Sequence, residues 1–269
     1  MQNRTLIFFA AVFSVSYFFT HVSAQKAVEY LAKQISDRSQ MLPESPKSSF
    51  RKSVDNVSGA TVIQKYIAAI GGAQQLQNVQ SINFKGSIKT AGMQLRFSER
   101  KQAPNLDYIA VSVDGDTMMR SVFDGQSGYN QQISEKTPLT EQEIKARNTD
   151  YIGLFNQLYY LDSSKSFTLN NIRHIKDEDD STDVFELEIK LPSGKIVTES
   201  YDTRTSLLTR SVEEEVGQSV TVTSKTFSDY QSVNGILFPC KINMTKAQNE
   251  KEQQFDIAVN TTEINLPAE

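Results

Sequence analysis

The chain has 269 residues, of which 38% are hydrophobic and 22% charged, and its formal net charge at pH 7 is −4. This composition is too apolar for a disordered chain and too polar for a helical membrane protein, and the acidic balance argues against a nucleic-acid-binding protein. One cysteine and two histidines exclude an internal disulfide framework and leave too few ligands for a Cys/His zinc site.

The first segment, residues 1–24, has the pattern of a secretory signal peptide. A short cationic start precedes an almost wholly apolar run at 6–19, and small residues stand before the predicted cleavage site after Ala24. The apolar run is shorter than the roughly 20 residues that a membrane-spanning helix needs. No cysteine follows the cut, so the mature protein is predicted to be exported, periplasmic, soluble and not lipidated.

Residues 25–57 are predicted to form a short helix and a flexible linker, because apolar residues at helical spacing give way to a stretch rich in serine, proline and lysine. A single domain is predicted over residues 58–269, with Ser58 as a candidate helix N-cap. Apolar residues from Val62 to Ile70 recur at helical spacing, and Gly71-Gly72 ends that helix.

From residue 82 onwards apolar residues alternate with polar ones, which is typical of strands with one buried and one solvated face. The segments with this pattern are 82–89, 93–98, 106–113, 117–123, 128–133, 167–175, 184–191, 195–201, 207–213, 220–227, 236–244 and 254–259. Turn sequences such as Asp114-Gly115 and Asn234-Gly235 separate several of them. The pattern predicts about 10–12 antiparallel strands and an α+β, mainly β fold.

One segment interrupts the series of strands. Residues 138–143 have the features of a helix start, with Thr140 as the cap and Glu143 at the capping-box position. Apolar residues then recur from Ile144 to Leu161. One or two short helices with a broad apolar stripe are predicted here.

The predicted sheet is wider than the predicted helices can cover. Strands lie about 4.8 Å apart, so eleven of them form a sheet roughly 50 Å wide, whereas a helix covers about 10 Å of it. The sheet is therefore expected to curl around a concave interior, with the helices inside it or across its mouth. Two outcomes stay open, namely a barrel filled by its own side chains and a partly open barrel with an apolar ligand cavity.

The sequence offers little for covalent or metal chemistry. His174 stands before an acidic run at 177–180 and is interpreted as a surface histidine beside a solvated turn. Glu213-Glu214-Glu215 is interpreted as a strand end in water, and Cys240 as a small packing residue. A phosphate-binding loop and a dinucleotide fingerprint are both missing, so we predict no catalytic residue, metal site or cofactor.

Four short motifs occur in series between about residues 60 and 265. They are Tyr66-Ile67-Ala68-Ala69-Ile70-Gly71-Gly72 with Leu76, Gln102-Ala103-Pro104-Asn105, Val122-Phe123-Asp124-Gly125 with Gly128-Tyr129, and Phe227-Ser228-Asp229-Tyr230 with Val233-Asn234-Gly235-Ile236-Leu237-Phe238-Pro239. Together they resemble the exported LolA/LolB-like proteins, often named outer-membrane lipoprotein-sorting proteins. A similar module follows the protease domains of some insulinase-type zinc peptidases, whose His-x-x-Glu-His motif this chain lacks.

The resemblance implies an unclosed antiparallel barrel with a helical lid, whose apolar cavity holds lipoprotein or lipid acyl chains. By position it implies a cavity wall of Phe84, Ile88, Leu95, Phe97, Phe185, Leu187 and Ile189. It likewise implies a lid that contains Ile144, Tyr151, Leu154 and Leu158. For each of these residues, packing in an ordinary core is an open alternative.

The chain departs from the family pattern at one position. In LolA an arginine precedes the Pro-Asn pair and holds the lid closed, whereas Ala103 stands there in this sequence. This departure argues against a carrier cycle driven by the same lid lock, and it leaves room for a ligand other than a lipoprotein.

Three functions are compatible with these observations. The leading prediction is a non-enzymatic periplasmic carrier or binding protein for lipoprotein acyl chains or other lipids, with membrane-anchored envelope proteins as a further partner class and no nucleic acid. The second is a stand-alone accessory or scaffold module of the cell envelope with a filled barrel. The third, ranked lowest, is a hydrolase that uses paired carboxylates.

Overall fold

The computed structural model describes residues 57–176, 182–216, 220–249 and 251–265. The predicted signal peptide, the predicted helix and linker before Val57, and the acidic run at 177–180 lie outside these residues. Across the four described ranges, no helix is both long enough and apolar enough to cross a membrane.

One antiparallel sheet dominates the described residues, and three α-helices and two short 3-10 helices accompany it. The strands are β1 (Ser81–Thr90), β2 (Met93–Gln102), β3 (Leu106–Val113), β4 (Asp116–Phe123), β5 (Gly128–Gln132), β6 (Glu135–Pro138), β7 (Thr168–Lys176), β8 (Asp183–Lys190), β9 (Ile196–Asp202), β10 (Leu208–Val216), β11 (Val220–Val233), β12 (Ile236–Gln248) and β13 (Lys251–Ile264). The α-helices are α1 (Gly59–Ala69), α2 (Ala73–Gln77) and α3 (Glu141–Asp150), and the 3-10 helices are Asn156–Leu158 and Ser163–Lys165.

The strands follow each other in the sheet almost as they do in the chain. Each strand pairs with its neighbours in sequence, except that β6 does not pair with β7 and that β1 pairs with β13. β6 and β7 are therefore the two edges of the sheet, which does not close into a barrel. The predicted unclosed, antiparallel, mainly β fold is confirmed.

The sheet has 13 strands, one more than the upper limit predicted from the sequence. The additional strand is β6, whose residues are all exposed and therefore show no apolar alternation. The sequence pattern assigns Pro138 to a helix start, but Pro138 pairs with Tyr129 at the end of β6 and α3 begins at Glu141. The capping box of Thr140 and Glu143 is confirmed.

Two-residue turns fix the register of two hairpins. Asn234 and Gly235 connect β11 to β12 with φ angles of 50° and 82°, and Asp114 and Gly115 connect β3 to β4 with 50° and 97°. Two consecutive positive φ angles are typical of type I′ turns, whose twist suits the strands of a hairpin. The predicted Asn-Gly and Asp-Gly turns are confirmed.

Helix α1 packs on the inner face of the sheet. Ser58 caps it, because its side-chain oxygen accepts a hydrogen bond from Thr61 N–H. Leu237 N–H donates to Ile70 C=O and so ties the end of this helical segment to β12. The residues that α1 buries in the common hydrophobic core are Val62, Ile63, Tyr66 and Ile67.

Gly86 marks an irregularity in the ladder between β1 and β13. The register of these two strands shifts between Lys85 and Gly86. A Cβ atom at Gly86 would lie 2.0 Å from Ala258 O and 2.6 Å from a ring carbon of Phe97. Both distances are far below van der Waals contact, so only glycine allows β13 and the core to approach this closely.

Replacing Gly86 by alanine is expected to lower the free energy of unfolding by about 1–3 kcal/mol, because the sheet must shift to admit the methyl group. Urea unfolding monitored by circular dichroism measures the change. Lys85→Ala is the matched control, because Lys85 is exposed on the same strand and surface substitutions usually stay within about 0.5 kcal/mol. Equal stability of the two variants would contradict this account of the bulge.

Candidate ligand cavity

The concave side of the sheet is largely filled by its own side chains, yet a cavity of about 190 Å³ remains. It lies between the inner face of the sheet, the C-terminal part of α1 and the segment that follows α3. Its apolar lining consists of Ile70, Ile82, Phe84, Leu154, Phe155, Leu191, Val197, Leu208, Phe227, Leu237, Phe238 and Pro239. The interior is therefore mostly filled by its own side chains, as in the first alternative, and also contains an apolar cavity, as in the second.

The residues predicted for the cavity wall are divided between the cavity and the core. Phe84 lines the cavity, and its ring packs edge to face against Phe238 with the ring centroids 5.8 Å apart. Phe185 is half-buried, and its ring lies 5.0 Å from that of His174. Buried positions in the core are occupied by Ile88, Leu95, Phe97, Leu187 and Ile189.

The residues predicted for the lid lie in or after α3. Tyr151 and Leu154 line the cavity, Leu158 packs against the core, and Ile144 is half-buried on the helix itself. Residues 141–160 thus contain α3 and the chain that borders the cavity, and we call them the lid segment.

The lid segment differs from the predicted apolar helix, because α3 ends at Asp150 and irregular backbone with one 3-10 helix follows. The side chain of Asn156 explains this end. It accepts a hydrogen bond from Ile152 N–H at 2.8 Å and donates one to Asp150 C=O at 2.7 Å. These bonds satisfy backbone groups that a continued helix would otherwise pair.

Arg147 anchors the lid segment to the first half of the sheet. Its guanidinium lies 3.9 Å from Asp107 Oδ2 on β3 and donates to Ser121 Oγ on β4 at 3.3 Å. Its Cζ stands 5.4 Å from the centre of the Phe123 ring, and the residue is only 6% exposed. The cation therefore belongs to the lid segment and its carboxylate partner to the sheet.

Polar contacts also anchor the lid segment to the second half of the sheet. Asp150 Oδ1 accepts a hydrogen bond of 2.9 Å from Ser193 N–H in the turn between β8 and β9. The Tyr151 hydroxyl lies 3.3 Å from Glu213 Oε2 on β10. The lid segment consequently connects the first and the second half of the sheet.

β2 carries a buried charge pair that the sequence reasoning missed. Lys101 Nζ lies 3.4 Å from Glu99 Oε1 and 3.9 Å from Asp107 Oδ2. The Glu99 side chain has no exposed surface, and this burial raises its pKa to about 7 although Lys101 opposes the shift. The strand period was the available signal, because Glu99 and Lys101 continue the inward alternation of Leu95 and Phe97.

Glu213 corrects a prediction, because Glu213-Glu214-Glu215 does not stand in water as a whole. Glu214 is exposed, whereas Glu213 lines the cavity with 14% of its side chain exposed. Lys195 Nζ lies 2.7 Å from Glu213 Oε1 and compensates the buried charge. The alternation of β10 explains the difference, because it turns Ser211 and Glu213 inwards and Glu214 outwards.

Glu199 is a further carboxylate that lines the cavity, and it is 5% exposed. Its Oε1 accepts hydrogen bonds from the Tyr160 hydroxyl at 3.2 Å and from Gln157 Nε2 at 3.3 Å, while the Tyr201 hydroxyl donates to Oε2. Burial raises the pKa of Glu199, although these hydrogen bonds oppose the rise. Tyr160 and Gln157 belong to the lid segment, so Glu199 is also a contact of that segment.

Neither His174 nor Cys240 lines the cavity. His174 Nε2 lies 2.7 Å from Asp183 Oδ1 on the partly exposed hairpin of β7 and β8, and Cys240 is a buried free thiol. Among the residues that the structure describes, no group of three or more His, Cys, Asp and Glu side chains is arranged to hold a metal ion.

The sequence matches no family model and no curated protein. Among solved structures, a LolA superfamily protein from Nitrosomonas europaea matches with a TM-score of 0.51 at 10% identity, covering 78% of this chain and 96% of that one. A candidate outer membrane lipoprotein-sorting protein domain from Vibrio parahaemolyticus has a TM-score of 0.49 at 14% identity, with 78% and 94% covered. A DUF1329 family protein from Desulfovibrio piger has a TM-score of 0.48 at 12% identity, and the match covers 77% of this chain and 93% of that one. The first similarity confirms the LolA-like fold that the motifs imply.

A pH dependence of stability is expected from Glu99. A carboxyl group whose pKa rises on folding from its ordinary 4.5 to about 7 holds its proton more tightly in the folded state. Its stabilising effect is therefore complete at low pH and is lost as the pH rises through this window. Relative to the wild type, Glu99→Gln should gain about 2–3 kcal/mol of unfolding free energy between pH 5 and pH 8.

Urea unfolding of both proteins at several pH values measures this gain. Glu214→Gln is the matched control, because Glu214 is the exposed carboxylate of the glutamate run on β10. A difference between Glu99→Gln and wild type that does not vary with pH would refute the raised pKa.

Replacing Arg147 by alanine should loosen the lid segment. The change removes the contacts with Asp107, Ser121 and the Phe123 ring, and we expect a loss of about 1–3 kcal/mol together with faster amide exchange across α3. Lys145→Ala on the exposed side of α3 serves as the control. Unchanged exchange of α3 in Arg147→Ala would show that other contacts hold the lid segment.

Proposed function

We propose that this protein is an exported, non-enzymatic carrier or binding protein for lipid or lipoprotein acyl chains. The observation that carries the proposal is the cavity inside the unclosed sheet, which is lined mainly by apolar side chains and bordered by the lid segment. The LolA-like fold supports it, because the solved structures with this fold include a protein described as a LolA superfamily member.

The physical basis of binding would be the removal of an alkyl chain from water. Burying each methylene group contributes about 0.8 kcal/mol, so even a short stretch of chain gains useful affinity. The rings of Phe84, Phe155 and Phe238 supply contiguous apolar surface, with centroids 5.8 Å and 6.2 Å apart. Such a cavity would carry chains that water otherwise drives to aggregate.

The size of the cavity limits what it can hold in this conformation. A cavity of roughly 150 Å³ accommodates one benzene molecule, and sites for drug-sized ligands span about 300–1,000 Å³. The 190 Å³ found here therefore suit part of one chain. Binding of a longer alkyl chain, or of several chains, would require the lid segment to move. This movement would break its contacts with Asp107, Glu199 and Glu213.

Cellular location and partners follow from the sequence and belong to the same proposal. The pattern of residues 1–24 would direct the chain to the periplasm, with cleavage after Ala24. Membrane-anchored envelope proteins would then be the partners that load or receive the acyl chain.

The scaffold alternative also has an observation in its favour. Most of the concave side is filled by buried residues, among them Ile63, Leu187 and Ile242 at 0% exposure. A protein of this kind would use its outer surface and leave the cavity empty. An experiment that closes the cavity without disturbing the core separates the two functions.

Filling the cavity with an aromatic ring should weaken the binding of an alkyl chain. Val197 lines the cavity on β9, so Val197→Phe should weaken binding of a fluorescent fatty acid at least about tenfold, while unfolding stability falls by no more than about 1–3 kcal/mol. Val212→Phe is the matched control, because alternation next to Ser211 turns Val212 to the opposite face of the sheet.

Native mass spectrometry of the protein purified from its own periplasm complements this measurement. Co-purifying lipid that Val197→Phe loses and Val212→Phe retains is the expected result. Absence of both co-purifying lipid and fatty-acid uptake in the wild type would favour the scaffold function instead.

A further inference from the structure

The charges that line the cavity are not all matched by a partner. The charged side chains of the lining are Lys101, Glu199, Glu213 and Lys225. Lys101 pairs with Glu99 and Asp107, and Glu213 pairs with Lys195. Glu199 accepts three hydrogen bonds from neutral donors, as described above.

Lys225 differs from the other lining charges. It stands on β11 between Ser211 on β10 and Met244 on β12, and it is half-buried. Among the described residues, no carboxylate lies within 4.0 Å of its ammonium group. Glu213 and Glu99 act on it only from beyond ion-pair distance, and each of them has its own lysine.

Burial lowers the pKa of Lys225 and the neighbouring cations Lys101 and Lys195 act in the same direction, whereas Glu213 and Glu99 oppose the shift from a distance. An anion placed against this ammonium would reverse both effects, because it supplies the opposite charge that a half-buried cation lacks. The cavity thus contains a half-buried cation that no described carboxylate contacts within ion-pair distance, and an anionic group of a ligand could fill that place.

Apolar surface adjoins this cation within the same cavity. Two residues further along β11, Phe227 lines the cavity, and Leu208 does so on β10. The contacting rings of Phe84, Phe155 and Phe238 extend this apolar surface. A molecule that fills the cavity would meet an ammonium group and a hydrocarbon surface at once.

We infer that the cavity binds a single-chain amphiphile with an anionic head group, a carboxylate or a phosphate, whose head pairs with Lys225 and whose alkyl chain lies against Phe84, Phe155 and Phe238. The inference rests on the proposed function and specifies its ligand. In this conformation a volume of 190 Å³ accommodates part of one alkyl chain and leaves no room for the several chains of a lipoprotein. A cationic head would be repelled by Lys225, and the lining carboxylates Glu199 and Glu213 already have partners within the protein. A neutral head would leave the ammonium unpaired.

Four dodecyl probes test the head group. They are dodecanoate, dodecyl phosphate, 1-dodecanol and dodecyltrimethylammonium, and each is titrated below its critical micelle concentration by displacement of a bound fluorescent dye. The better anion should bind the wild type at least about tenfold more tightly than the neutral and the cationic probe, which is the effect of one charge-assisted contact. The ranking of dodecanoate against dodecyl phosphate identifies which anionic head is preferred.

Variants of Lys225 test the residue. Lys225→Met keeps the length of the side chain and should remove the preference for anionic probes, lowering their affinity about tenfold and leaving that of 1-dodecanol within about twofold. Lys225→Arg should restore the preference. Lys241→Met is the matched control, because Lys241 is on the neighbouring strand β12 with 66% of its side chain exposed.

The possible results separate this inference from the proposed function. Equal binding of anionic and neutral probes by the wild type, or an unchanged preference in Lys225→Met, would overturn the inference and leave the carrier function intact. Failure of all four probes and the dye to bind would overturn the carrier function itself. Should Lys225→Met not fold, the ranking of the probes on the wild type and on Lys225→Arg still decides the inference.

Discussion

The ladder between β1 and β13 is the contact on which the rest of the structure depends. Every other strand pair in the described sheet joins neighbours in the chain, so this ladder makes one sheet from two meanders. Because the meanders meet there, their free edges are β6 and β7, and no strand covers the opening between them. The chain that connects these two edges contains the lid segment, which contacts both halves of the sheet. The bulge at Gly86 lies within the same ladder, so the approach of β13 to β1 at this position requires a residue without a side chain.

The interior of the sheet combines a hydrophobic core with buried charge. Burying a single ionised carboxylate is costly, and the structure offsets this cost in two ways. Glu99 and Glu213 each have a lysine within 3.4 Å, while Glu199 accepts hydrogen bonds from hydroxyl and amide groups. Several of these groups also bind the lid segment, so the same side chains stabilise the interior and hold its cover in place. The shape of the cavity consequently depends on buried ion pairs and hydrogen bonds as well as on apolar packing.

Much of the fold follows from local sequence, whereas the polar interior depends on contacts between distant strands. The strand period, the Asn-Gly turn at Asn234 and the caps at Ser58 and Thr140 are local features, and the structure confirms them. β6 escapes prediction because an exposed edge strand needs no apolar alternation. The inward position of Glu213 could have been predicted from the alternation of β10. Its buried charge is compensated by Lys195, the residue just before the neighbouring strand β9, and this contact cannot be predicted from local sequence. The early end of α3 depends on the side chain of Asn156, whose bonding no periodicity reveals.

The position of the last strand beside the first has a consequence for how the chain folds. The Gln80 N–H donates to the side chain of Asn265, 185 positions later, at the same end of the β1–β13 ladder. Contacts between such distant residues form late and slowly, because a long loop must close before the contacts can stabilise it. Until β13 is synthesised, β1 presents an open edge and the core residues that β13 covers remain exposed to water. The two meanders consist of local strand pairs, so they can join into one sheet only after the last described strand of the chain has been synthesised.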